Sequence, residues 1–157
     1  MKKVKEVMTS SAVSCKQDET IKNVADQMSK SNIGFMPVVD EDKKVIGTIT
    51  DRDVALSMST ASKTPDKIKV QEVMRKEAHT ISPDEDAAKA LEIMRTKQVG
   101  RLPVVDSGKR LQGIVSLMGI ARKVKNSSEK TEFEYQGKEN IINTVHAIAE
   151  RNHNNVE

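Results

Sequence analysis

Met36-Pro37-Val38-Val39-Asp40 is followed shortly by Gly47-Thr48-Ile49-Thr50-Asp51-Arg52-Asp53. The same order returns as Leu102-Pro103-Val104-Val105-Asp106 and Gly113-Ile114-Val115-Ser116-Leu117-Met118-Gly119. Working outward, residues 4–56 align with residues 70–122 at a constant offset of 66, without a gap. Val4/Val70, Glu6-Val7-Met8/Glu72-Val73-Met74, Met28/Met94 and Gly34/Gly100 anchor the rest of the register. A repeat held in register over this length implies duplication, and two similar units are expected to pack about an approximate two-fold axis.

Each copy has the same local pattern. A short apolar run, Ala12-Val13-Ser14-Cys15 or His79-Thr80-Ile81, is predicted as a strand. Ile21, Val24, Ala25 and Met28 then recur at i, i+3, i+4 and i+7, the spacing of one helix face. Ala87, Ala90, Leu91 and Met94 do the same in copy two, where Ser82-Pro83-Asp84-Glu85 is predicted to start the helix as a capping box. The β-branched runs Met36–Val39 and Val45–Ile49, joined by the polar turn Asp40–Lys44, predict a hairpin. A second helix is predicted after Thr50 and after Ser116.

The order is β-α-β-β-α, twice, an α/β (α+β) class. One unit has too small a sheet to cover itself, so the two are expected to pack sheet to sheet. Residues 1–66 form the first unit and 67–124 the second; 125–157 form a linker and a C-terminal helical extension. Ser57–Lys69, rich in Ser, Thr, Lys and Pro, joins the units.

Composition bounds the function. Aromatic residues are 2% of the 157 and there is no Trp, so the core is aliphatic and base-stacking platforms for single strands are missing. A net charge of +3 falls short of a nucleic-acid binder's basic stripe. The lone Cys15 allows no intrachain disulfide, and no apolar run approaches a membrane span or signal peptide. The expectation is a cytoplasmic, soluble chain.

With Val38-Val39-Asp40 and Gly47-Thr48-Ile49-Thr50-Asp51-Arg52-Asp53 in view, residues 1–124 resemble a tandem CBS-domain pair, or Bateman module. The resemblance implies two clefts between the paired units, ligands such as AMP, ADP, ATP or an adenosyl compound, and frequent dimerisation. It implies a regulatory role with an unidentified regulated protein, and no cofactor beyond that ligand.

Thr50 and Asp53 stand where a strand becomes a helix. Helix N-termini suit phosphate, and an Asp there can accept both hydroxyls of a ribose. The plainer reading is that Thr-x-x-Asp is a capping box serving the helix's own donors. The resemblance favours the ligand, because Asp53 aligns with the family's ribose-binding acid. By the same analogy Asp53 and Arg52 share a cleft with Thr80, Ile81, Gly100, Arg101 and Pro103, with Arg101 on phosphate. Copy two keeps Ser116 but has Gly119 in place of the acid. The second, degenerate cleft is therefore expected at Ser14, Phe35, Pro37, Ser116 and Gly119.

Other chemistries lack their residues. Asp40, Asp42, Asp51 and Asp53 do not follow calcium-loop spacing. His79, His146 and His153 lack zinc-ligand spacing with each other or with Cys15. No nucleophile elbow, Walker loop or Rossmann loop is present, so no catalytic activity is expected. Cys15 reads as a small buried thiol.

In the tail, Lys125–Lys130 reads as linker and the alternating Thr131-Glu132-Phe133-Glu134-Tyr135 as a short strand. Ile141, Ile142, Val145, Ile148 and Ala149 mark an apolar stripe on a helix over about Lys138–Arg151. That helix either covers the chain's own core or serves a dimer or partner contact. Asn152–Glu157 is expected to fray. The overall expectation is a ligand-sensing CBS pair. The rival is a ligand-free dimerisation or protein-interaction module.

Overall fold

The structure, a computed structural model, describes residues 2–60, 62–125 and 132–153. The predicted α/β architecture is present: two units, each with a small sheet and helices, and a C-terminal helix. In order these are α1 (Val4–Val7), β1 (Cys15–Lys16), α2 (Ile21–Ser31), β2 (Phe35–Val39), β3 (Val45–Thr50) and α3 (Asp51–Thr60). The second set is α4 (Val70–Val73), α5 (Ala87–Lys97), β4 (Arg101–Val105), β5 (Leu111–Ser116) and α6 (Leu117–Lys125), followed by α7 (Glu132–His153).

The compact units are cut differently from the sequence repeats. Among the described residues, one holds Ala12–Ala78 with Ser107–Leu111; the other holds residues 2–11, His79–Asp106 and those from Gln112 onward. The body of each repeat is thus closed by the short helical arm that precedes the other. In the first-repeat unit, β1 pairs parallel to β2 and β2 antiparallel to β3. Its core contains Ile21, Val24, Met36, Val38 and Ile49 from the body, with Ile68 and Val70 from the arm. In the second-repeat unit, Val4 and Val7 of α1 join Leu91, Met94, Leu102, Val104 and Val115. Val4 and Val70 are both fully buried, each contributing about 1.5–3 kcal/mol of apolar burial.

Local bonds lock each arm down. The Thr48 N–H donates to the Arg75 carbonyl (3.0 Å) and the Arg75 N–H to the Thr48 carbonyl (2.9 Å). Thr9 and Ile114 exchange the same pair of bonds, at 2.9 and 3.0 Å. This closeness explains the repeated glycine. A Cβ on Gly47 would stand 2.6 Å from the Arg75 carbonyl oxygen, and one on Gly113 2.6 Å from that of Thr9. The arms also cap helices: the Ile21 N–H donates to the Ile68 carbonyl and the Ala87 N–H to the Lys2 carbonyl, at 3.0 and 2.9 Å.

Three expectations are corrected. Helix α5 starts at Ala87 with Asp86 as N-cap, not at Pro83. The Ser82 hydroxyl instead accepts from Asp84 N–H in a turn, while the arm's Val4 and Lys5 N–H groups donate to the Glu85 and Pro83 carbonyls. The predicted strand His79–Ile81 is a single parallel bridge from Ile81 to Val104. Ile81 N–H reaches the Pro103 carbonyl and Val105 N–H the Ile81 carbonyl, but the next donor would be Pro83, which has no N–H. Finally, residues 132–135 belong to α7 rather than to a strand. Five alternating residues are too few to separate a strand from the first turns of a long helix. Thr131, 126–130 of the expected linker and 154–157 of the expected fraying end lie outside the described residues.

Helix α7 packs on the second-repeat unit itself. Gly137, Ile141, Thr144 and Ile148, spaced at i, i+4, i+7 and i+11, are buried or partly buried, and Ala147 beside them is partly buried as well. Ile141 and Ile148 pack on the core cluster that holds Leu91 and Met94. The Thr144 hydroxyl, 1% exposed, lies 2.7 Å from the Asn140 carbonyl and 3.4 Å from that of Leu91, and Gln98 Nε2 donates to the Ala147 carbonyl at 3.1 Å. Of the predicted stripe, Ile142, Val145 and Ala149 remain exposed. The corresponding helical face of the first-repeat unit, between α2 and α3, is an open groove of about 440 Å³.

Gly47→Ala is expected to lower stability by about 1–3 kcal/mol, because a backbone carbonyl must move to admit the methyl. Denaturant unfolding checks this, and an unchanged midpoint would contradict the tight arm. Thr144→Lys should release α7, since it buries an unpaired charge. Hydrogen exchange should then show lost protection over 137–150 while β4 and β5 stay protected.

Candidate functional site

The junction between β3 and α3 is built by sequence-local chemistry. Thr50 ends the strand, and its hydroxyl accepts from the Asp53 N–H at 3.1 Å. Asp53 returns the favour through Oδ2, which accepts from the Thr50 N–H (3.0 Å) and the Thr50 hydroxyl (2.7 Å). These reciprocal bonds make a capping box, as the plainer reading of Thr-x-x-Asp expects. The box also fixes the carboxylate at a helix N-terminus, where the backbone dipole favours negative charge.

The other oxygen meets a residue that the sequence did not single out. Arg75, on the arm just after α4, places Nε 3.3 Å and Nη2 3.1 Å from Asp53 Oδ1. The Asp53 side chain is 10% exposed and that of Arg75 49%, so the pair is half buried. It is less exposed than pairs such as Lys5–Asp84 (2.8 Å) and Lys16–Glu41 (2.7 Å), though its contacts are longer. Arg75 was legible in one respect. It aligns with Thr9, as Asp53 aligns with Gly119, so both members of the pair are missing from copy two.

The remaining candidates divide between the units. Thr50, Arg52 and Asp53 lie in the first-repeat unit with Ser14, Phe35 and Pro37. Phe35 stands directly opposite Thr50 in the β2–β3 ladder, and Pro37 opposite Thr48. The side chain of Arg52 points into solvent-exposed surroundings and its N–H donates to Asp51 Oδ1 at 2.8 Å. Thr80, Ile81, Gly100, Arg101 and Pro103 lie in the second-repeat unit with Ser116 and Gly119. There the Leu117 N–H donates to the Gly100 carbonyl at 3.0 Å, which sets Arg101 beside the β5–α6 junction. Arg101 is exposed; Ile81 and Pro103 are buried. Ser116 still caps its helix through the Gly119 N–H at 3.0 Å, but no carboxylate completes the box.

The α2–α3 groove is lined by Ala25, Met28, Ile33, Asp51, Val54 and Met58 among others, and Thr50, Asp53 and Arg75 are not in its wall. It is a different surface from the Asp53 site. Among the described residues, no three His, Cys, Asp or Glu side chains are grouped to hold a metal ion. No described helix is long and apolar enough to cross a membrane.

Comparison with known proteins follows the same geometry. A model of the CBS domain matches residues 4–59 and again 70–126. The chain belongs to the CBS-domain family. The CBS domain-containing protein YhcV of Bacillus subtilis is 36% identical over 121 residues, which is 77% of this chain and 84% of that protein. Inosine-5'-monophosphate dehydrogenase of Methanocaldococcus jannaschii is 35% identical over 125 residues, 80% of this chain but only 24% of the enzyme. The shared part is the CBS region. The chain likewise spans 60% of the uncharacterized protein MK0525 of Methanopyrus kandleri. Among solved structures, the CBS domain pair of protein MJ0100, in complex with 5'-methylthioadenosine and S-adenosyl-L-methionine, superposes with a TM-score of 0.72 at 27% identity. That match covers 80% of this chain and 97% of the other. Hypoxic Response Protein I, with two coordinated zinc ions, gives 0.70 at 28% identity, covering 78% and 99%.

Cys15 is 1% exposed, and burial pushes its thiol up to about 12. Its Sγ lies 3.9 Å from the Pro37 carbonyl. The thiolate, the reactive form, is therefore scarce at neutral pH. A thiol reagent at pH 8 is expected to leave Cys15 unmodified in the native chain and to label it fully after unfolding; rapid native labelling would contradict the burial.

Proposed function

We propose that the chain is a regulatory CBS pair that binds an adenine nucleotide or adenosyl compound, with Asp53 taking the ribose. One observation carries this reading. The acid of the Gly-x-x-Thr-x-x-Asp run is held at a strand-to-helix junction, with one oxygen fixed by Thr50 and the other facing a half-exposed arginine. A vicinal diol can exchange with that arginine without dismantling the cap. The MJ0100 pair supports the ligand class, since its complex holds two adenosyl compounds. The absence of the acid at Gly119 supports a binding role in the first repeat. Ligand would regulate a partner by preferring one arrangement of the chain over another, because a ligand without such a preference shifts no equilibrium.

The second reading, an assembly module that docks a further copy or another protein, is favoured by the open α2–α3 groove. Leu56 and Met58 on α3 are 54% and 49% exposed. A nucleotide panel in thermal shift separates the two. A ligand present at 100 times its dissociation constant stabilises by about 2.7 kcal/mol, whereas an assembly module shows no response to any nucleotide.

Asp53→Ala is expected to weaken AMP binding about ten- to a hundredfold, the equivalent of one charge-assisted hydrogen bond of about 1.5–3 kcal/mol. Titration calorimetry reads this directly. Unchanged affinity would leave Asp53 as a helix cap and nothing more.

A further inference from the structure

The hydrogen bonds to Asp53 are unequal. A carboxylate offers about four acceptor positions, and here four are in use: two on Oδ2 by Thr50 and two on Oδ1 by Arg75. The Thr50 bonds are 2.7 and 3.0 Å and come from adjacent chain. Those from Arg75 are 3.1 and 3.3 Å, and both fall on one oxygen rather than forking across two. Charge-assisted bonds at their strongest are shorter and bidentate. Thr50 is thus the fixed partner and Arg75 the exchangeable one. A diol that approaches Asp53 must take the place of the guanidinium on Oδ1.

Removing that guanidinium leaves a charge without its counter-ion. Of the five guanidinium N–H groups, two point at Asp53, and three are left to meet another acceptor. The backbone of Arg75 cannot retreat, because its carbonyl and N–H are both bonded to Thr48 against Gly47. The released guanidinium stays near the site and seeks an anion there. Copy two carries neither the acid nor the arginine, having Gly119 and Thr9, which fits a pair whose two members act together.

We propose that Arg75 is a specificity-determining residue of the Asp53 site: it selects ligands that bring an anionic group along with the diol. A nucleoside phosphate replaces both partners of the broken ion pair, while an uncharged nucleoside replaces only one. A cationic adenosyl sulfonium adds repulsion. The proposal rests on the nucleotide-binding reading above and adds to it the charge of the ligand.

The test is calorimetry on the full chain with AMP and with adenosine, for the wild type, Arg75→Gln and Arg75→Lys. The wild type is expected to bind AMP at least about tenfold more tightly than adenosine. Arg75→Gln should weaken AMP and strengthen adenosine, bringing the two within about threefold. Arg75→Lys should keep part of the preference, because charge survives without the fork. If Arg75→Gln changes both affinities by the same factor, or leaves their ratio unaltered, Arg75 is only a brace for the arm and the proposal is overturned. A wild type that binds adenosine as tightly as AMP overturns it as well. A wild type that binds neither overturns the nucleotide-binding reading together with this one, so the two failures are distinct.

Discussion

Everything at the candidate site hangs on a backbone approach too close for any side chain. The Arg75 carbonyl sits where a Cβ on Gly47 would be, 2.6 Å away, and the strand and arm exchange two hydrogen bonds across that contact. Glycine here is a matter of space rather than of unusual backbone angles, since no glycine among the described residues has positive φ. The contact brings Arg75 to the end of β3, where the capping box has already fixed Asp53. An ion pair at a helix N-terminus follows from packing that is settled elsewhere.

The same plan appears twice and is put to different use. In the first repeat the junction holds an acid and an arginine, and the helical face between α2 and α3 stays open. In the second the junction is reduced to a serine cap, and α7 lies across α5 with Thr144 and Gln98 bonded over the seam. Duplication supplied two equivalent frames, and substitution at a few positions separated their chemistry. Gly119 for Asp53 and Thr9 for Arg75 remove the charged pair without touching the bonds that hold the arm.

What could be read in advance tracks how local the physics is. The hairpins, the helix faces and the Thr50–Asp53 box are encoded within a few residues, and they appear as the spacing of Val38, Val39, Ile21 and Val24 implies. Helix starts fared worse in copy two, where Ser82-Pro83-Asp84-Glu85 has the composition of a cap but the arm claims the Glu85 and Pro83 carbonyls. The exchange of arms was invisible: four-residue helices carry little periodicity, and their destination depends on which body fits them. Arg75 escaped notice for the same reason. Only its asymmetry with Thr9, read alongside Asp53 and Gly119, pointed to a shared role. The family resemblance, by contrast, was fully legible, because the repeated motif is written in contiguous residues.

The crossing of the arms also bears on how such a chain can come into being. A polypeptide carrying one repeat would present a body with an unfilled docking edge and an arm that does not belong to it. Two such molecules could satisfy each other reciprocally, each lending its first dozen residues to its companion. Joined head to tail, they become a single gene product whose obligatory partner is always present at the other end of the same chain, whatever the concentration in the cell.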